Sequence, residues 1–232
     1  MQNTNNIIED NYGYEIPSLE NTKKLLIMLH GYLSNGDDMI EITKLFSKLK
    51  DTYFVSLNAI KKDTQDSSRY YWFDLQDKID EKIITEELQK SQNKIYDLID
   101  FKYNQILNKI KKEKNFSNNN EEIETMLLGF SQGAITALDI ACFSNIPITK
   151  VVAFSGIFSH IKEKTNILKE KKIKPQICLI HGKEDDVISY KYCEDAYRKL
   201  KRLNLTVEQH LINALGHSID LKGIKIAENF LN

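Results

Sequence analysis

Cysteine is scarce in this chain. Cys142, Cys178 and Cys193 are its only three, widely separated and with no Cys-x-x-Cys pair. An odd, scattered set excludes a disulfide framework and a thioredoxin-like redox motif. It fits buried free thiols in a reduced, cytoplasmic protein. No ligand-spaced set of cysteines and histidines is visible either, so neither a metal nor another cofactor is expected. There is no charge excess, since 33 acidic residues against 32 basic ones leave a formal net charge of -1. That balance argues against nucleic acid as a partner, because phosphate-backbone affinity comes from surplus Lys and Arg. The short runs Lys111-Lys112 and Lys171-Lys172 read as solvated helix surface. No apolar run approaches the ~18 residues of a membrane span, so stable membrane insertion is not expected. The segment Met1-Gln2-Asn3-Thr4-Asn5-Asn6 has no basic region and no apolar stretch after it, unlike a signal peptide.

What the chain does have is a set of short apolar runs. They are Leu25 to Leu29, Tyr53 to Leu57, Met126 to Leu128, Val151 to Phe154, Ile177 to Ile180 and Leu205 to Ile212. Most are uninterrupted and bounded by polar or breaker residues, the pattern of strands buried on both faces of a largely parallel sheet. Longer amphipathic stretches lie between them. Leu88, Ile95, Ile99, Ile106 and Ile110 mark one face of a long helix near 82–113, and Cys193, Ala196, Tyr197 and Leu200 mark another. Ile219 to Leu231 reads as a further helix, and residues 114–121 as a polar loop. Alternating strands and helices predict a layered α/β fold. At 232 residues the chain fits one large domain. Pro17, Pro147 and Pro175 each lie close to a predicted strand start, where proline is tolerated. Gly31, Gly129, Gly156, Gly182 and Gly216 follow apolar runs, at the sheet edge where open α/β sheets place their ligand sites.

The most informative segment is Gly129-Phe130-Ser131-Gln132-Gly133, which follows the apolar run Thr125 to Leu128 and precedes helical spacing from Ala134 to Ala141. Strand, Gly-x-Ser-x-Gly, helix is the setting of a nucleophilic serine. The turn is tight enough that a Cβ at either glycine would clash. A serine hydroxyl needs a base to remove its proton, and in this fold class the order is Ser, then Asp or Glu, then His. Four histidines follow Ser131: His181 ends a predicted strand, and the three weighed as the base are His160 in a polar stretch, His210 inside a predicted strand, and His217 on a loop at the expected active edge. His217 is the best placed. For the carboxylate, Glu184, Asp185 and Asp186 follow the strand ending at His181-Gly182, and any of them can orient a histidine. Oxyanion donors are expected from the amide of Gln132 and from the loop His30-Gly31-Tyr32-Leu33. His30 itself reads as a structural hydrogen-bonding residue.

With Leu29-His30-Gly31-Tyr32, Tyr71-Trp72-Phe73-Asp74, Gly129 to Gly133, Phe154-Ser155-Gly156, His181-Gly182-Lys183-Glu184-Asp185 and Gly216-His217 in this order, the chain resembles the phospholipase/carboxylesterase family of α/β-hydrolases, which includes acyl-protein thioesterases. The likeness spans about residues 22–231, leaving 1–21 as an N-terminal extension that could add an edge strand to a 22–232 domain. It implies a single α/β-hydrolase domain with a mostly parallel central sheet flanked by helices and no large lid. It also implies a metal-free ester or thioester hydrolase working through an acyl-enzyme. Carried over, Ser131 is the nucleophile, His217 the general base and acid, and Asp185 the orienting carboxylate. The amides of Tyr32 and Gln132 form the oxyanion hole. Tyr32-Leu33 departs from the small or aliphatic residue and glycine that the family usually has there. Leu33, Trp72, Phe73 and Gly156 are the candidate substrate contacts, with core packing the competing reading for the aromatics. Lysophospholipids and acylated proteins are candidate substrates, and a homodimer is in keeping with family habit. A serine peptidase on the same fold and a non-catalytic binding protein on a hydrolase scaffold are the alternatives.

Overall fold

A computed structural model describes residues 7–18, 22–75, 79–113, 122–159 and 164–232. Every expected strand is present: β3 (Lys24–Leu29), β4 (Thr52–Leu57), β7 (Glu124–Phe130), β8 (Ile148–Phe154), β9 (Gln176–Gly182) and β10 (Thr206–Ile212). Two short strands, β1 (Ile8–Asp10) and β2 (Gly13–Ile16), precede them. Together they form an eight-stranded sheet in the order β1-β2-β4-β3-β7-β8-β9-β10. All neighbours from β4 to β10 are parallel, while β1 with β2 and β2 with β4 are antiparallel. A separate ribbon pairs β5 (Lys61–Lys62) with β6 (Tyr70–Tyr71).

The uninterrupted apolar runs follow from burial on both faces. In β3, Leu25, Ile27 and Leu29 face one core, and Leu26 and Met28 face the other. The first core is covered by α2 (Glu81–Glu113), α3 (Gln132–Phe143), α4 (Thr165–Glu170) and α5 (Lys191–Arg202). The second is covered by α1 (Gly36–Ile40) and α6 (Leu221–Leu231). The apolar stripe read from α2 is buried in full, from Leu88 through Ile110. The helix expected from Ile219 starts two residues later because the Asp220 carboxylate accepts from the Gly223 amide at 2.7 Å and caps it. Pro147 and Pro175 directly precede β8 and β9, but Pro17 follows β2 and so stands at a strand end. The expected loop 114–121 and His160 lie outside the described residues. Among the described residues no helix is long and apolar enough to cross a membrane.

Two features tie this frame together. The β1–β2 hairpin is pinned to α2 by a buried ion cluster. Lys102 Nζ, fully buried, contacts the Asp10 carboxylate and lies 2.7 Å from Glu15 Oε1. Glu15 Oε2 takes Lys109 Nζ at 2.8 Å and the Tyr53 hydroxyl at 2.6 Å. The second feature is a stair of backbone bonds at the C-terminal sheet edge. Ser131 N donates to Phe154 O at 2.8 Å, Ser155 N to Ile180 O at 2.9 Å, and Lys183 N to Ile212 O at 2.9 Å. Each residue leaving a strand thus hangs on a carbonyl at or near the end of the next strand.

Candidate active site

Ser131 occupies the turn between β7 and α3 with φ 53° and ψ −117°, a conformation that side chains rarely adopt. The flanking glycines make it feasible. A Cβ on Gly129 would lie 2.3 Å from the Gly133 carbonyl oxygen, and one on Gly133 would lie 2.1 Å from that of Leu29. No side chain fits either gap, so β3, β7 and α3 can converge only on glycine.

His217, on the loop between β10 and α6, brings Nε2 to 3.0 Å from Ser131 Oγ. Its Nδ1 lies 2.8 Å from Asp185 Oδ2. With Nδ1–H donating to the carboxylate, the Nε2 lone pair is free to accept the serine proton. The ring packs against Phe130, centroids 4.9 Å apart, which fixes its plane. Of the three consecutive acids, Asp185 alone is buried, while Glu184 and Asp186 are exposed. Asp185 Oδ1 accepts from the amides of Val187 at 3.0 Å and Ile188 at 2.8 Å. Burial alone would raise its pKa, but hydrogen bonds from His217 and the Ile188 amide outweigh that and hold the carboxyl below its usual range.

The sequence gives His181 no role of its own at the site, yet it touches it. Its Nε2 lies 2.8 Å from the Ile188 carbonyl and 3.1 Å from Asp185 Oδ2. Burial lowers its pKa, so it stays neutral and shares one N–H between the two oxygens. His30 is also buried and neutral, with its pKa pushed down to about 4 by desolvation. Its Nδ1 meets the Gly31 carbonyl at 2.7 Å and its Nε2 accepts from the Ala59 amide at 3.1 Å, which is a structural role.

The Gln132 side chain was also missed. Its Oε1 accepts from Trp72 N at 2.7 Å and its Nε2 donates to Phe73 O at 2.7 Å. Nothing in the pentapeptide signals this partner 60 residues away. The Gln132 amide stands in the first turn of α3, where backbone N–H groups have no intrahelical acceptor and carry the positive end of the helix dipole.

Beside Ser131 opens a cleft of about 850 Å³, lined by Tyr32, Gln132 and His217 and walled mainly by Met39, Ile42, Ile84, Ile135, Ile219 and Ile224. The four expected substrate contacts lie outside this lining. Trp72 and Phe73 are fully buried in the core, with Trp72 Nε1 donating to the His30 carbonyl at 2.9 Å. Gly156 packs on α3, where a Cβ would come within 2.8 Å of Ala134 Cβ. Leu33 takes a left-handed turn conformation, φ 54°, and is half-buried. The wall comes instead from helix residues whose Ile-rich sequence carries no distinguishing signal. His210 sits on the edge strand β10, and the residues meeting at Ser131 do not include it.

The profile of the Phospholipase/Carboxylesterase family matches residues 15–232. Esterase YpfH of Escherichia coli (strain K12) is 28% identical over 210 residues, covering 90% of this chain and 82% of its own. The crystal structure of esterase PE8 superposes with a TM-score of 0.74 at 28% identity, covering 94% of this chain and 96% of that one. Acyl-protein thioesterase 2 of Zea mays shares the fold, with a TM-score of 0.69 at 21% identity over 95% of this chain and 98% of that one. By fold and by profile, the chain belongs to the phospholipase/carboxylesterase family of α/β-hydrolases.

Proposed function

We propose that this protein hydrolyses carboxylic esters or thioesters through a covalent acyl-enzyme, with Ser131 as nucleophile, His217 as general base and acid, and Asp185 as the orienting carboxylate. The observation that carries the reading is the unbroken hydrogen-bonded run from Ser131 Oγ through His217 to Asp185 Oδ2, at 3.0 and 2.8 Å. In the first step Ser131 Oγ attacks the carbonyl carbon while His217 Nε2 takes its proton. The developing oxyanion is met by the backbone amides of Tyr32 and Gln132, each such donor being worth ~10²–10³ in rate. His217 then returns the proton to the departing alcohol or thiol. Water, deprotonated by the same nitrogen, attacks the acyl-enzyme and releases the acid. Asp185 remains ionised throughout and stabilises the imidazolium that forms.

The apolar cleft suits the acyl part of the substrate, and exposed Tyr32, Leu45, Val187 and Leu221 stand at its border. This supports acyl chains, as in lysophospholipids or acylated proteins, as the substrate class. A reducing, cytoplasmic setting fits Cys142, Cys178 and Cys193, which are all buried free thiols.

A fluorophosphonate probe tests the nucleophile. It is expected to add one label to the wild-type protein and none to Ser131→Ala; equal labelling of both removes Ser131 from the role. Asp185→Asn is expected to lower kcat about 10⁴-fold, as loss of the orienting carboxylate does in serine hydrolases. Asp186→Asn leaves turnover within a few-fold. The reverse ranking would move the carboxylate to Asp186.

A further inference from the structure

β10 is the terminal strand of the sheet and pairs only with β9. Its side chains alternate between the two faces. Val207 and Leu211 join the core under α5, and Ile212 joins the core under α6. By the two-residue period, Glu208 and His210 share the face of Ile212. Cys178 of β9 lies on that face too, opposite Glu208 in the register. The three side chains therefore meet across the strand pair, with one ligand atom from each lying within 4.8 Å of the others.

Cys178 hydrogen-bonds to Glu208 within this cluster, but the imidazole is left out of that contact. His210 Nε2 is shielded from solvent and has no hydrogen-bond partner. It lies 3.7 Å from Glu208 Oε1, too long for a hydrogen bond. That separation matches two ligands on one tetrahedral ion, whose bonds of about 2.0–2.3 Å set neighbouring donor atoms roughly 3.3–3.8 Å apart. Thiol, imidazole and carboxylate together make a borderline-soft donor set that favours Zn(II) over Mg(II) or Ca(II). We propose that Cys178, Glu208 and His210 form a zinc-binding site at the open edge of the sheet, separate from Ser131, with water as the fourth ligand.

Burial beside Glu208 pushes the Cys178 thiol up, so it is protonated before metal arrives. Binding replaces the S–H bond with a Zn–S bond and releases the proton to solvent. The ion then joins β9 to β10 by coordinate bonds at the sheet edge, where no further strand pairs among the described residues. Sequence spacing gives no hint of the site, because its ligands come together through strand register across 30 residues of chain between Cys178 and Glu208.

Cobalt(II) titration of the purified full chain tests this. One equivalent is expected to produce a thiolate-to-cobalt charge-transfer band in the near ultraviolet, displaced stoichiometrically by zinc. Cys178→Ala is expected to abolish the band. His210→Gln, at a half-exposed position that tolerates the change, is expected to weaken binding by at least the ~100-fold that even a lost outer-shell partner can cost. Metal-free circular dichroism melts verify that both variants are folded. Absence of the band in the wild-type protein, or a band undiminished in both folded variants, overturns the proposal.

Discussion

Gln132 serves two ends of the site from one position. Its backbone amide stands at the start of α3, and its side chain bridges Trp72 N and Phe73 O. Replacing it with alanine keeps the amide donor and leaves two buried backbone groups unpaired. Each such group costs ~1–3 kcal/mol. Gln132→Ala is therefore expected to lose about 2–6 kcal/mol in urea denaturation. A loss below about 0.5 kcal/mol would mean that the bridge contributes little. At this scale the strained turn at Ser131 was legible, because a serine between two obligate glycines leaves a mark in the sequence. The choice among Glu184, Asp185 and Asp186 was not legible from chemistry alone, since all three are carboxylates in one loop. The family resemblance singled out Asp185, and the fold turns it inward to the Val187 and Ile188 amides. For Trp72 and Phe73 the sequence left substrate wall and core packing both open, and both side chains are fully buried.

The β1–β2 hairpin and α2 depend on each other through Lys102. Removing one partner of a buried ion pair costs about 3–5 kcal/mol, and here Glu15 Oε1 loses its cation while Lys109 and Tyr53 stay on Oε2. Lys102→Ala is expected to destabilise by that order and to raise hydrogen exchange over Ile8–Ile16 ahead of the parallel strands. Lys102→Met combined with Glu15→Leu should recover much of the loss, because an apolar pair of similar volume carries no desolvation penalty. If the double variant is as unstable as the single one, the cluster contributes more than charge pairing. Long elements with strict periodicity were readable, α2 among them, because burial on one face filters residues every third or fourth position. Of the hairpin, only a possible edge strand within residues 1–21 was expected. Its strands are three and four residues long and polar, and nothing marks Lys102 among the many lysines of the chain.

Across the whole molecule, acid works in one direction. His30 has a folded pKa of about 4, below the ordinary 6.5, and burial lowers His181 as well. Between those values the unfolded chain binds protons that the folded chain refuses, so stability present above pH 6.5 is lost as pH falls toward 4. For His30 this amounts to about 3 kcal/mol. Glu15 and Asp185 add to it at lower pH. Burial would raise both carboxyls, but hydrogen bonds from Lys102, Lys109 and Tyr53 on Glu15, and chiefly from His217 on Asp185, leave them depressed. Their contribution exists above the unfolded carboxyl pKa and disappears as pH falls through the folded one. Urea midpoints are expected to drop steadily from pH 7 to pH 4.5, and a flat profile would show that the buried histidines take up protons without cost. The layered architecture was legible at this scale because strand burial and helix periodicity repeat along the chain. The strand order was not, because pairing partners are chosen in three dimensions.

The stair of backbone bonds from β7 to β10 has a directional consequence. Ser131 is supported by β8, the segment after β8 by β9, and the segment after β9 by β10. Looseness therefore travels inward from the last strand. Fraying of β10 would free Lys183, unsettle the loop that carries Asp185, and reach the serine's support only afterwards. An edge strand of the sheet is thus upstream of a strained residue near its centre, and anything that grips β10 tightens the centre from a distance.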